Sequence, residues 1–169
     1  MTPRPCTLDS SIIIPLGKVR RLDVLAKAPS FQWHVTPIVR SELRSADTHD
    51  AIEGAILQGV VAPVDVDLSD ARLATLFSEW ADITDPGEAE AIAIAIANDW
   101  LVALEDRDAQ RKLNSSASGI GRWINSANIL LDAVGAGHMT LPEADGVFRS
   151  LSVYKGYALR GIPSLGVLR

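Results

Sequence analysis

Residues 85–97, which read Asp85-Pro86-Gly87-Glu88-Ala89-Glu90 and then alternate Ala and Ile from Ala91 to Ala97, restrict the fold more than any other stretch of the chain. The alternation has the period of a strand, but alanine favours helix and the segment opens with residues that start one. Asp85 is placed to cap, Pro86 suits the first helical position, and Glu88 lies three residues after the cap, where its side chain can return to the cap amide. The helix reading therefore prevails over 86–97. Wound at about 100° per residue, Ile92, Ile94 and Ile96 spread around the cylinder, so packing on one side does not hide them. This helix needs cover from other elements on most of its circumference.

The chain can supply that cover. Its 169 residues are 47% hydrophobic and 22% charged, enough apolar material for one compact domain. Its one cysteine, Cys6, has no partner for an internal disulfide, and the N-terminus shows no basic region leading into an apolar secretory stretch, so the cytoplasm is the expected location. The apolar run from Ala91 to Ala97 is far short of the roughly 20 residues that cross a bilayer, so no membrane span is expected. A net charge of −5 argues against binding nucleic acid by diffuse electrostatics, although a cation held by carboxylates reverses the field that a phosphate meets.

Along the chain, Cys6-Thr7-Leu8 reads as a strand ending at Asp9-Ser10-Ser11. Ile12-Ile13-Ile14 is open between strand and buried helix, and Val19, Leu22 and Leu25 give 18–26 an apolar face at helical period. Phe31–Val35 reads as a second strand, with Thr36-Pro37 starting a helix that carries Glu42 in its second turn. A helix over 48–57 stopped by Gly59, a strand over 60–66 with Pro63 at an edge, and a helix over 69–80 precede the 86–97 helix. Trp100–Leu104 is an apolar strand, and Glu105-Asp106-Arg107-Asp108 opens a helix to Leu113. After a loop at 115–119, a last strand over 120–124 leads to helices over 127–134 and 141–154, the second capped by Thr140 with Glu143. The tail from Gly156 reads as irregular. Alternation of this kind predicts a single three-layer α/β domain with a mostly parallel central sheet and helices on both faces. It spans 1–155, with 156–169 as a C-terminal tail.

In an open parallel sheet, functional groups gather at the carboxyl ends of the strands. Asp9 and Asp106 both follow strands, Glu88 lies in the first turn of the helix before the Asp106 strand, and Glu42 sits early on its own helix. All four are expected at one edge. Carboxylates brought together raise each other's pKa values, so the cluster calls for a cation, and ligands that are all oxygen select a hard one such as Mg²⁺ or Mn²⁺. Such an ion activates water against a phosphodiester without help from His or Cys.

The chain from Thr7 to about Ser150 resembles the PIN domains, and among them the VapC-like toxin ribonucleases and related predicted nucleic-acid-binding proteins. The resemblance is carried by Leu8-Asp9-Ser10-Ser11, Arg20-Arg21-Leu22-Asp23-Val24-Leu25, Val35-Thr36-Pro37 leading to Ser41-Glu42-Leu43, Gly87-Glu88-Ala89-Glu90-Ala91-Ile92-Ala93 and Leu104-Glu105-Asp106-Arg107-Asp108. It implies a Mg²⁺- or Mn²⁺-dependent endoribonuclease with Asp9, Glu42, Glu88 and Asp106 as its acidic quartet. Asp9, Glu88 and Asp106 hold the metal, and Asp108 and Ser126 assist. It also implies a small antitoxin partner and a homodimer. Arg40, Arg107, Arg111 and Lys18 are the candidate phosphate contacts. Three features depart from the family pattern: Glu105-Asp106 replaces a common pair of aspartates and leaves the inward carboxylate open, Asn125 and Asn128 flank Ser126 where glycines are common, and the chain runs on through Gly161-Ile162-Pro163.

Each acidic residue also has an ordinary explanation. A capping box with Asp85 accounts for Glu88, capping of the following helices accounts for Asp9 and Asp106, and solvation accounts for Glu42. Only the set carries the metal reading. His34, His49 and His138 lack the spacing of a zinc site, and Cys6 reads as a buried thiol. Trp33, Trp80, Trp100 and Trp123 read as core or interface rather than base-stacking residues. Ser118-Gly119-Ile120-Gly121 lacks the Lys-Ser/Thr pair of a phosphate-binding loop. The rival functions are a non-catalytic module of the same shape that binds RNA or a protein, and a phosphotransfer domain. The latter is disfavoured because Ser11 stands where an acid two positions beyond the nucleophile belongs.

Overall fold

The computed structural model describes residues 2–116, 122–153 and 164–168. Strands β1 (Arg4–Leu8), β2 (Phe31–Val35), β3 (Val61–Pro63), β4 (Leu101–Ala103) and β5 (Trp123–Ile124) form one sheet in the order β3-β2-β1-β4-β5. Every neighbouring pair is parallel. The helices are α1 (Ser10–Lys18), α2 (Val24–Lys27), α3 (Pro37–Glu42), α4 (Ala46–Leu57), α5 (Ala71–Ala81), α6 (Pro86–Asn98), α7 (Arg107–Ser115), α8 (Ser126–Gly135) and α9 (Leu141–Leu151). This is the expected α/β architecture. Strand β1 shows why helices cover both faces: the Thr7 hydroxyl donates to the Ala91 carbonyl of α6 at 2.9 Å, while Cys6 and Leu8 project the opposite way, and none of the three is exposed.

The 85–97 segment behaves as its composition requires. Every residue of α6 from Gly87 to Ile96 is buried, and the helix packs on β1 and β4 with α3 and α5 beside it. The Ile12-Ile13-Ile14 run resolves as helix within α1.

Elsewhere the chain departs from the simple pattern. The helical face expected over 18–26 is broken after Lys18, because Arg20 takes a left-handed φ of 55°. The Arg20 N–H then donates to the Gly17 carbonyl (2.9 Å) and the Arg21 N–H to the Leu16 carbonyl (2.8 Å), which is a Schellman closure. Strand β3 covers only Val61–Pro63 of the expected 60–66, as its outer edge meets no further strand among the described residues. Strand β5 is Trp123–Ile124, and 120–121, the loop from 117 and the Ser118–Gly121 segment lie outside the described residues.

Helix α9 starts with the expected Thr140–Glu143 capping box, and its expected end at Tyr154 lies outside the described residues. The same holds for the expected division between 155 and 156. Of the tail, Leu165–Leu168 forms a 3₁₀ turn against α9: Leu165 is fully buried, and its N–H donates to Asp145 Oδ1 at 2.9 Å. No helix among the described residues is long and apolar enough to cross a membrane.

Candidate functional site

From β1 the sheet grows one way to β2 and β3, and from β4 the other way to β5, so the crevice between the carboxyl ends of β1 and β4 is a topological switch point. Register aligns Leu8 with Val35 and with Ala103, and the Asp9 N–H donates to the Ala103 carbonyl at 2.9 Å. Asp9 therefore stands beside the segment leading to Asp106.

Asp9 is 3% exposed and caps α1, its Oδ2 accepting the Ser11 N–H at 2.9 Å. Burial raises its pKa and the charge of Glu42 adds to the rise, against the bonds from Ser11 and Ser10. Asp106 caps α7, its Oδ1 accepting the N–H groups of Asp108 and Ala109, both at 2.8 Å. Both capping roles are real, and Asp106 also lines a groove there while Asp9 lies buried close enough to raise the pKa of Glu88. An open groove of about 380 Å³ is lined by the α5–α6 turn together with Asp85, Glu88, Asp106 and Asp108.

Glu88 occupies the centre. The capping box that offered it an ordinary role is absent, for Asp85 makes no side-chain cap to α6. The vacancy at the helix start is filled from another element: Glu42 Oε1 accepts the Gly87 N–H at 3.0 Å. A Cβ on Gly87 would sit 2.5 Å from the Glu42 Cδ, so glycine is what lets that carboxylate approach. Burial, and after it the negative charges of Asp9, Asp106, Asp85 and Glu42, push Glu88 up to about 8. The structure thus brings Asp9, Glu42, Glu88 and Asp106 into one electrostatic neighbourhood.

Three contributors escaped the sequence reading. Glu90 is 4% exposed, and its Oε2 accepts the Ile38 N–H at 2.8 Å. It stabilises the start of α3 as Glu42, from the end of α3, stabilises the start of α6, so the two helices exchange carboxylate caps. One signal was available: Glu88 and Glu90, two residues apart, point to different sides of a helix that is buried all round, so each needs its own partner. Glu105, 2% exposed, answers which of the Glu105-Asp106 pair enters the crevice. Its Oε1 accepts the Ser126 N–H at 2.7 Å and its own N–H donates to Ser11 Oγ at 3.0 Å, so it ties the α1 and α8 starts together while Asp106 lines the groove. Ser11 is the third.

Ser126 is 2% exposed and contributes through this N–H; the flanking Asn125 and Asn128 form a reciprocal capping box for α8. Asp108 is exposed and ion-paired with Arg111. Arg40 is held by Glu53 at 2.7 Å, Arg107 and Arg111 lie on α7, and Lys18 ends α1. His34 stacks on Trp100 with ring centroids 4.4 Å apart, and burial lowers its pKa; burial likewise raises that of the Cys6 thiol.

Among the described residues no group of three or more His, Cys, Asp or Glu side chains stands ready to hold a metal ion. Asp9, Glu42 and Asp106 each commit one oxygen to backbone N–H groups and keep the other. The donor set still suits a hard divalent cation: it is all oxygen, and burial together with the neighbouring carboxylates disfavours the ionised form of Glu88, which a cation would favour. No curated protein and no solved structure matches the chain. Residues 6–157 match a family model described as PIN domain.

Proposed function

The chain belongs to the PIN-domain family, whose fold is nuclease-like and implies nucleic-acid binding, and from that premise we propose that it is a metal-dependent endoribonuclease. The observation that carries the reading is the convergence of Asp9, Asp106 and Glu42 on a Glu88 whose pKa rises to about 8 at the switch point of the sheet. Asp9, Glu88 and Asp106 would hold Mg²⁺ or Mn²⁺. Bound there, such an ion would supply a water of lowered pKa and positive charge against the negative charge of a phosphodiester. The Ser11 N–H orients the Asp9 carboxylate, and the N–H groups of Asp108 and Ala109 orient that of Asp106. Glu42 adds charge and, through Gly87, holds the turn that presents Glu88. Glu105 fixes the rear wall through Ser126 and Ser11, and Asp108 stands at the groove's outer lip.

The same reading makes the protein a cytoplasmic VapC-like toxin that is a homodimer and is restrained by a small antitoxin; mass measurement in solution and the product of the neighbouring gene test those points. Asp9→Asn keeps the cap acceptor and removes a charge. It should leave the melting transition in place and abolish RNA cleavage under Mg²⁺; unchanged cleavage would refute the site.

One observation favours a second reading, a non-catalytic PIN module that binds RNA or a protein: the carboxylates already serve backbone N–H groups, and no ready-made metal shell exists among the described residues. Calorimetric titration with Mn²⁺ separates the two. No heat at millimolar metal, with no turnover of several RNAs, selects the module.

A further inference from the structure

Helix α7 separates the acidic groove from a second surface. Arg107, Gln110, Arg111 and Asn114 recur at i, i+3, i+4 and i+7, so they share one stripe about 10 Å long. With Trp123 of the edge strand β5 they line a groove of about 460 Å³. Its floor is fixed. Gln110 is 8% exposed and donates from Nε2 to the Leu104 carbonyl at 3.0 Å, and the Trp123 indole N–H donates to Asn114 Oδ1 at 2.8 Å, which sets the plane of the ring. Arg111 meets Asp108 in an exposed ion pair, an interaction worth about 0–1 kcal/mol and so readily exchanged for a phosphate.

The lining of this groove holds two arginines beside an indole and no acidic side chain, in a chain whose net charge is −5. Position matters as much. Asp106 and Asp108 line the acidic groove while Arg107, between them in sequence, lines this one, so the two grooves meet across the first turn of α7.

We propose that the α7–β5 groove is a subsite for one nucleotide of single-stranded RNA, with the base stacked on Trp123 and the adjoining phosphate held by Arg107 and Arg111. Every base offers a π-face to an indole, and that face is available only when the strand is unpaired. The planar, forked guanidinium of arginine suits phosphate oxygens. The identity of the polymer rests on the nuclease reading above; the subsite itself depends on neither the acidic cluster nor a metal.

The test is therefore run without either. A fluorescently labelled tetrauridine is titrated into the full chain in EDTA, where binding is read apart from cleavage. The parent should bind with quenching of Trp fluorescence. Trp123→Leu should weaken binding about 5- to 100-fold and remove the quench, whereas Trp123→Phe, which keeps the ring face and loses the indole bond to Asn114, should stay within about threefold of the parent. The Arg107→Ala/Arg111→Ala double variant should weaken binding and make the slope of log K against log salt shallower by about 0.7, the value for one phosphate contact on a single strand. A Trp123→Leu protein with parental melting and parental affinity overturns the subsite, as does a parent that binds no tetrauridine or binds an RNA duplex equally well. Should Trp123→Leu fail to fold, the salt slope of the double variant decides alone. Loss of cleavage in Asp9→Asn with these affinities intact would leave both readings standing, and intact cleavage there with normal binding would remove only the nuclease site.

Discussion

Replacing Gly87 by alanine inside a helix would ordinarily stabilise the protein by roughly 0.5–1 kcal/mol, because alanine loses less backbone entropy. Here the sign should reverse. The new methyl would overlap the Glu42 carboxylate, 2.5 Å from its Cδ. That carboxylate ends a flexible side chain and can swing away, so the penalty is the lost bond to the Gly87 N–H rather than a rigid clash. Hydrogen bonds to charged groups contribute about 1.5–3 kcal/mol net, and subtracting the helix gain leaves Gly87→Ala destabilised by about 0.5–2.5 kcal/mol. For a chain of this size that lowers the melting temperature by roughly 1–10 °C. Urea denaturation of four proteins, the parent, Gly87→Ala, Glu42→Ala and the double variant, isolates the effect as a cycle. In the Glu42→Ala background the same glycine replacement should become stabilising. If Gly87→Ala stabilises the parent as much as it stabilises Glu42→Ala, the exchange of caps between α3 and α6 does not hold the start of α6.

Two further outcomes follow from the same residues. Glu88 has a folded pKa raised from 4.5 to about 8, so its contribution is fully present below about 4.5 and is lost as pH rises through about 8; Asp9 is raised in the same direction. Metal-free protein should lose stability over that window, by up to about 4–5 kcal/mol if the whole shift is realised, and Glu88→Gln should flatten the decline; a pH–melting profile with the same slope in both proteins would show that Glu88 is not the strained group. Glu90→Ala strands the Ile38 N–H and should cost about 1–3 kcal/mol in urea denaturation, while Glu90→Gln keeps an acceptor and should cost clearly less. Equal losses would mean that the bond carries little weight.

The parts of the fold visible in the sequence are those decided locally. Alanine content and Pro86 start α6, Thr140 with Glu143 starts α9, and alternation of strands with helices dictates a covered parallel sheet. Helix ends show where local reading stops. The α4 end closes through Gly59 at φ 71°, which a glycine announces, whereas Arg20 at φ 55° and Asp99 at φ 59° close α1 and α6 in the same left-handed way with side chains that give no such notice. At the site, Asp9 and Asp106 were legible because strand ends in a parallel sheet meet at one edge. The roles of Glu42, Glu90 and Glu105 were not, because their partners Gly87, Ile38 and Ser126 lie far away in sequence and are chosen by packing. Even the error over Asp85 has this origin: the first turn of α6 is capped at the Gly87 amide by a remote carboxylate and not by Asp85.

The order β3-β2-β1-β4-β5 also sets a timetable. Strand β1 is synthesised before the other four strands but lies at the middle of the sheet, and its β4 partner follows only after β2, β3 and six helices. At roughly 5–20 residues per second, the interval between Asp9 and Asp106 is about 5–20 s. During that time one side of β1 has no neighbour to complete its ladder, and the crevice has only one wall. A nascent chain in this state has an unsatisfied edge and no assembled acidic cluster, so both its vulnerability to aggregation and its acquisition of any activity are decided by the arrival of one three-residue strand.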